Sequence, residues 1–198
     1  MSNVFPRTMK NRPPVAVSGT GCYITDREGK RYLDGSGGAA VSCLGHGHPA
    51  IVAAVKTQVE QLAFAHTGFF SSEPAEALAS LLATHAPAGL AHVYFVSGGS
   101  EAVEAALKLA RQYFIEKGEP SRHRLISRRQ SYHGNTLGAL AAGGNLWRRQ
   151  AFEPLLFDTT HIAPCYQYRG QDAGESEAAF GRRVANELEA EILRLGPE

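Results

Sequence analysis

No stretch of this sequence approaches the ~18 consecutive apolar residues of a membrane span, which excludes a helical membrane anchor within it. Cysteine is scarce. Cys22, Cys43 and Cys165 are odd in number, widely spaced and form no C-x-x-C, so a disulfide framework is disfavoured and reduced thiols are expected. An excess of one charge is also missing, with 20 Lys and Arg against 19 Asp and Glu for a net charge of +1. The basic residues come as pairs, Arg128-Arg129, Arg148-Arg149 and Arg182-Arg183, read here as solvated helix ends and not as a nucleic-acid face. The opening MSNVFPRTMKNRPP is polar and proline-broken, unlike a signal peptide, and a cytoplasmic location is expected. Internal repeats and low-complexity tracts are absent too.

What is present is an ordinary globular composition, 43% hydrophobic and 20% charged over 198 residues. A chain of this size can bury roughly 70% of its unfolded surface. Its most informative stretch is VYFVSGGSEAVEAALKLARQY, residues 93–113. Residues 92–96 read as a strand covered on both faces, and Ser97-Gly98-Gly99-Ser100 as a tight turn. Val103, Ala106, Leu107, Ala110 and Phe114 then recur at helical spacing. A strand, a small-residue turn and a helix N-terminus in succession make an anion cradle, because the first helical amides are free and the dipole is positive there.

Around this stretch the residues predict an arm over 1–14 and a hairpin over 22–34 turning at Asp26-Arg27-Glu28-Gly29. A glycine-rich loop GSGGAAVSCLGHGHP follows, then helices opening at Pro49 and near Ser72. Downstream of the cradle, Gly118 caps its helix, and residues 124–127 form a second strand that would complete a βαβ unit with 92–96. The loop Gln130 to Asn135 then lies at the same carboxyl edge of the sheet, where open α/β sheets bind ligands. A short helix over 136–144, an irregular segment over 145–174 and a last helix over 175–195, ending at Gly196-Pro197, complete the reading.

The cradle's ligand is narrowed by its neighbours. Ser100 is followed by Glu101, so the Gly-Lys-Ser/Thr ending of a Walker loop is missing. Residues 35–40, GSGGAA, imitate a dinucleotide fingerprint but lead into a strand-like AVSCL and not a helix. His46 and His48 form H-x-H without an acidic or cysteine cluster, so no metal site is expected and they are read as capping the helix at Pro49. Glu101 is expected to point away from the turn.

Four motifs in order, YITDREGKRYLDGSGGAAVSCLGHGHP, FFSSEPAEALASLL, YFVSGGSEAVEAALKLARQY and SYHGNT, resemble the class III, or omega-type, pyridoxal-phosphate-dependent aminotransferases over nearly the whole chain. The resemblance implies an α/β chain with part of the type I fold of PLP-dependent transferases: a hairpin segment and the first part of a large mixed or parallel-sheet cofactor domain. The corresponding division is 1–48 for arm, hairpin and glycine-rich loop, and 49–198 for an incomplete cofactor domain. It also implies pyridoxal 5'-phosphate as cofactor, its phosphate held by Gly98, Gly99 and Ser100 and its ring stacked by Tyr132, with His133 either touching the ring or bonded within the loop. Asp34 to Gly38, including Ser36, and Phe69, Phe70 and Ser71 correspond to substrate-pocket or subunit-interface segments. The implied reaction moves an amino group between an amine or amino acid and a keto acid, in a homodimer, without nucleic acid or membrane.

Transamination also needs a lysine to form the Schiff base and an acid on the pyridine nitrogen. The lysines are Lys10, Lys30, Lys56, Lys108 and Lys117, and none matches the family's lysine motif. The chain is therefore expected to be the amino-terminal part of such an enzyme, with no catalytic residue of its own and no turnover alone. The alternatives are a non-catalytic half that dimerises with or regulates a complete subunit, and a mutase or decarboxylase on the same scaffold.

Overall fold

The computed structural model describes residues 3–196; Pro197, expected to close the last helix, lies outside them. The chain divides into two units, Met1–Ala91 and His92–Glu198.

In the first unit, β1 (Ala16–Thr20), β2 (Tyr23–Asp26) and β3 (Arg31–Leu33) form an antiparallel meander. The hairpin of β2 and β3 matches the sequence reading, and β1 is an addition to it. Asp26 ties the turn: it is 4% exposed, accepts the Tyr32 hydroxyl at 2.7 Å and takes the amides of Glu28 and Lys30. Those bonds, Tyr32 foremost, hold its carboxyl below the usual carboxylate range. The glycine-rich loop forms one turn, α1 (Gly37–Ala40), whose φ angles are all positive, Ala39 and Ala40 included. No strand forms at the strand-like AVSCL. Helices α2 (Pro49–Gln61) and α3 (Glu73–His85) start where Pro49 and Ser72 predict. Their apolar stripes are uncovered: Ile51, Val52, Val55, Val59, Leu78, Leu81 and Leu82 are all exposed.

In the second unit, α4 (Gly99–Glu116) leads to β4 (Ile126–Arg128), α5 (Leu137–Ala142) and α6 (Leu146–Arg149). A 3-10 turn over Gln150–Leu155 then precedes β5 (Thr160–Ile162), α7 (Gln167–Gly170) and α8 (Glu177–Leu195). The parallel strand pair is β4 with β5. The expected strand at 92–96 is not formed, because no described strand pairs with it and an extended segment becomes a strand only through a neighbour's ladder. The segment expected to be irregular instead supplies β5. A small core gathers Ala139, Ala141, Ala142, Ile162, Phe180 and Val184.

The total accessible surface is 15973 Å². A compact protein of 21.3 kDa exposes about 9,100 Å², and two separate halves of that mass about 11,000 Å². Several thousand Å² of surface, much of it apolar, therefore lacks the cover that a folded domain of this mass provides.

Candidate functional site

The site is built in the second unit, where the turn before α4 and the loop after β4 touch. Gly98 is the N-cap of α4 in extended backbone, and the amide of Ala102 closes the first helical bond onto its carbonyl. The amides of Gly99, Ser100 and Glu101 donate to no backbone acceptor among the described residues. They are free donors at the positive end of an 18-residue helix. Packing does not explain the glycine at 99: its φ lies outside the left-handed region and a Cβ there would meet open space. Two small residues with nothing pressing on the second suit close approach of a ligand to the backbone.

Ser100 joins this turn to the second loop. Its Oγ accepts the Asn135 amide at 3.0 Å and donates to Asn135 Oδ1 at 3.1 Å. The approach is close enough to demand glycine at 134, where φ is +134° and a Cβ would lie 2.5 Å from Ser100 Oγ and 2.8 Å from Ser100 Cα. Glu104, one turn along α4, adds a second tie by accepting the Ala139 amide at 3.2 Å. A Cβ on Gly138 would strike that carboxylate.

Tyr132 stands on the joined loop with its ring 62% exposed, and His133 Nε2 lies 3.4 Å from Ser127 Oγ on β4. Behind Tyr132 the backbone closes on itself. Gln130, in the left-handed region at φ 65°, donates its amide to Gly144 O at 3.0 Å, and Gly144 N donates back to Ser131 O and Oγ. A Cβ on Gly144 would lie 2.1 Å from Arg128 O, so this return is possible only with glycine.

The remaining expected site residues lie in the first unit. Ser36 is exposed at the start of the left-handed turn, where its carbonyl accepts the Ala39 amide. Phe69 and Phe70 are 80% and 67% exposed, with both amides on His66 O and Phe69 tilted against the His66 ring. The Ser71 hydroxyl donates to the Glu76 carboxylate. Asp34 accepts Ser42 Oγ and meets His46 Nε2, each at 2.9 Å, and these two bonds, Ser42 first, lower its carboxyl from the usual range.

Three local expectations are corrected. His46 pairs with Asp34 and does not cap α2, and His48 occupies the cap position without a side-chain bond. Glu101 does not point away: its Oε2 lies 3.5 Å from where a Cβ on Gly98 would sit. The doublets are not all solvated ends. Arg128 lies in β4 and donates to the carbonyls of Ala163 and Val184, and Arg149 is 6% exposed. Sequence reasoning also missed Asn135 as the link to Ser100; its place directly after Gly134 was the available signal.

The pattern of the family described as aminotransferase class-III matches residues 4–193. The chain belongs to the class III aminotransferases. It is 45% identical over 196 residues to an uncharacterized aminotransferase of Schizosaccharomyces pombe, covering 98% of this chain and 43% of that one. Among solved structures it is similar to the omega transaminase from Pseudomonas jessenii in complex with PMP, at TM-score 0.90 and 31% identity over 99% of this chain and 45% of that one. It also resembles a thermostable (S)-enantioselective omega-transaminase from Thermomicrobium roseum, at TM-score 0.88 and 38% identity, with 98% and 44% covered. The fold is accordingly a partial type I fold of the PLP-dependent transferases. The chain spans less than half the length of the relatives it matches.

Pyridoxal phosphate is the cofactor of this family, and the site's chemistry fits it. Three free amides, a hydroxyl and an unobstructed Gly99 suit a phosphate, and an exposed tyrosine on the adjoining loop suits an aromatic ring. A phosphate seated there would need the Ser100 proton turned from Asn135 Oδ1 and the Glu101 carboxylate moved off the turn.

Proposed function

We propose that this chain is the cofactor-holding part of a pyridoxal-phosphate-dependent transaminase that moves an amino group between an amine or amino acid and a keto acid. The observation that carries this reading is the Ser100–Asn135 junction, which sets the free amides at Gly99 to Glu101 beside the Tyr132 loop. In the working enzyme those amides and the Ser100 hydroxyl hold the phosphate, and charge-assisted bonds of that kind are worth about 1.5–3 kcal/mol each. Tyr132 stacks on the ring and His133 stays within the loop on Ser127. The cofactor supplies an electron sink for the bond broken at the substrate's amine-bearing carbon. Ser36, Phe69, Phe70 and Ser71 line the substrate pocket or the subunit interface, a role the exposure of both phenylalanines supports.

The five lysines stand in the arm, the hairpin turn, α2 and α4 with its C-cap, which does not match a Schiff-base position. The enzyme's lysine and its acid therefore belong to sequence beyond this chain, as do the strands that would pair with 92–96. The active enzyme is a cytoplasmic homodimer with 1–48 in its small domain. Among the described residues no helix is long and apolar enough to cross a membrane.

The test fuses this chain to the carboxyl-terminal remainder of the Schizosaccharomyces pombe relative. The fusion is expected to develop the absorbance of a protein-bound Schiff base with pyridoxal phosphate, fixed to one lysine by borohydride, while the 198-residue chain alone develops none. A unique labelled lysine in the chain alone, or no band in a folded fusion, contradicts the reading. The uncovered faces of α2 and α3 favour one alternative, a non-catalytic half docked on a complete subunit. Native mass spectrometry of the chain mixed with a complete subunit decides it.

A further inference from the structure

The adjacent arginines Arg148 and Arg149 part company in a way their sequence hides. They end the short helix α6, and successive helical residues point about 100° apart. Arg149 turns inward, where its Nη1 donates to the carbonyls of Ala141 at 2.5 Å and Gly143 at 2.8 Å. Its Nη2 lies 3.4 Å from Glu153 at the exposed side. The backbone it grips is the end of α5 and its cap, next to Gly144, which hydrogen-bonds to Gln130 and Ser131 immediately before Tyr132. Arg148 turns the other way. Its guanidinium carbon stands 5.1 Å from the centroid of the Tyr132 ring and 4.6 Å from that of Trp147, within cation–π range of both. Both arginines and Tyr132 line one small crevice.

We propose that this pair is the positioning device of the cofactor-ring tyrosine: Arg149 fixes the loop through its backbone and Arg148 fixes the plane of the Tyr132 ring. Neither is a catalytic residue, since both act through Tyr132. One ring face carries the guanidinium, and among the described residues no other aromatic or cationic group stacks on Tyr132, which leaves the opposite face for the cofactor. The cofactor role rests on the reading of Tyr132 given above, whereas the arginine–tyrosine device can be measured without cofactor.

The experiment uses the 198-residue chain with 13C-labelled tyrosine rings, the Tyr132 signal being assigned with Tyr132→Phe. Wild type is expected to show a nuclear Overhauser contact between Arg148 and the Tyr132 ring. R148Q removes that contact and moves the Tyr132 signal while the other tyrosines stay in place, and R148K, which keeps a cation, restores most of the position. R149M accelerates exchange of the Gly144 and Gln130 amides at least tenfold and broadens Tyr132. A Tyr132 signal unmoved in R148Q, or Gly144 exchange unchanged in R149M, overturns the proposal. Should R149M unfold the chain, the R148Q and R148K pair decides it alone. In the fusion enzyme, R148Q is expected to reduce the visible circular dichroism of bound cofactor at least twofold, with rescue by R148K. A fusion that folds and binds no cofactor refutes the reading of the site and leaves the ring measurements standing.

Discussion

Residues 126–149 close on themselves, whereas residues 92–96, which lead into the phosphate turn, pair with no described strand and leave Tyr94 81% exposed. The ring loop is held by the Gln130–Gly144 and Ser131–Gly144 bonds, the buried Arg149 and the three alanines of α5. The phosphate turn has its own helix, the Ser100–Asn135 link and, one turn along, the Glu104–Ala139 bond. The contrast teaches that the Tyr132 loop is supported locally in sequence, within about two dozen residues, whereas the segment leading into the turn before α4 pairs with no strand among the described residues. The same contrast divides the units, since no described apolar side chain of the first is buried and the second has a small core.

The largest expected effects come from the two glycines that allow the loop to close and to meet the turn. Gly144→Ala places a Cβ against the Arg128 carbonyl and is expected to cost more than about 3 kcal/mol of the local stability of residues 126–162. Gly134→Ala combines a positive φ with a clash at Ser100 and is expected to cost about 2 kcal/mol, mostly at the junction. Native-state hydrogen exchange separates the two: the first exposes Gln130 and Gly144, and the second exposes Asn135 and leaves Gly144 protected.

Much of this layout was legible in the sequence. Pro49, Ser72, Gly118 and the three- and four-residue spacing of apolar side chains marked α2, α3, α4 and α8 within one or two residues. Residues 92–96 were misread because β-branched and aromatic composition reports how well a residue suits a strand and not whether a neighbour exists to pair with it. Strand β5 was invisible for the opposite reason: Thr160–Ile162 is too short to show alternation and is set by pairing with β4. Arg149 looked like half of a charged doublet. Its burial depends on where the carbonyls of Ala141 and Gly143 return in space, which no local pattern encodes.

Smaller effects follow from acid. Arg183 clamps Glu175 ahead of α8 with bonds of 2.8 and 2.9 Å and lowers its carboxyl from 4.5 to about 2. A carboxyl lowered on folding contributes stability above its unfolded value, and that stability is lost as pH falls through the folded value. Asp26 in the hairpin is lowered in the same direction. Between pH 4.5 and 2 the start of α8 is therefore expected to loosen, and the hairpin loosens as pH falls below the ordinary Asp value of 3.8. The Arg149 bonds to Ala141 and Gly143 use carbonyl acceptors and are expected to persist, as amide exchange measured along an acid titration would show.

Amide exchange of the 198-residue chain at neutral pH tests the central contrast most directly. The amides of Arg129, Gln130, Gly144 and Thr160, all hydrogen-bonded, are expected to exchange at least about a hundredfold slower than free chain, whereas those of residues 93–96 exchange at nearly the free rate. Protection of 93–96 equal to that of Gly144 would contradict a self-supported ring loop beside an unsupported phosphate turn.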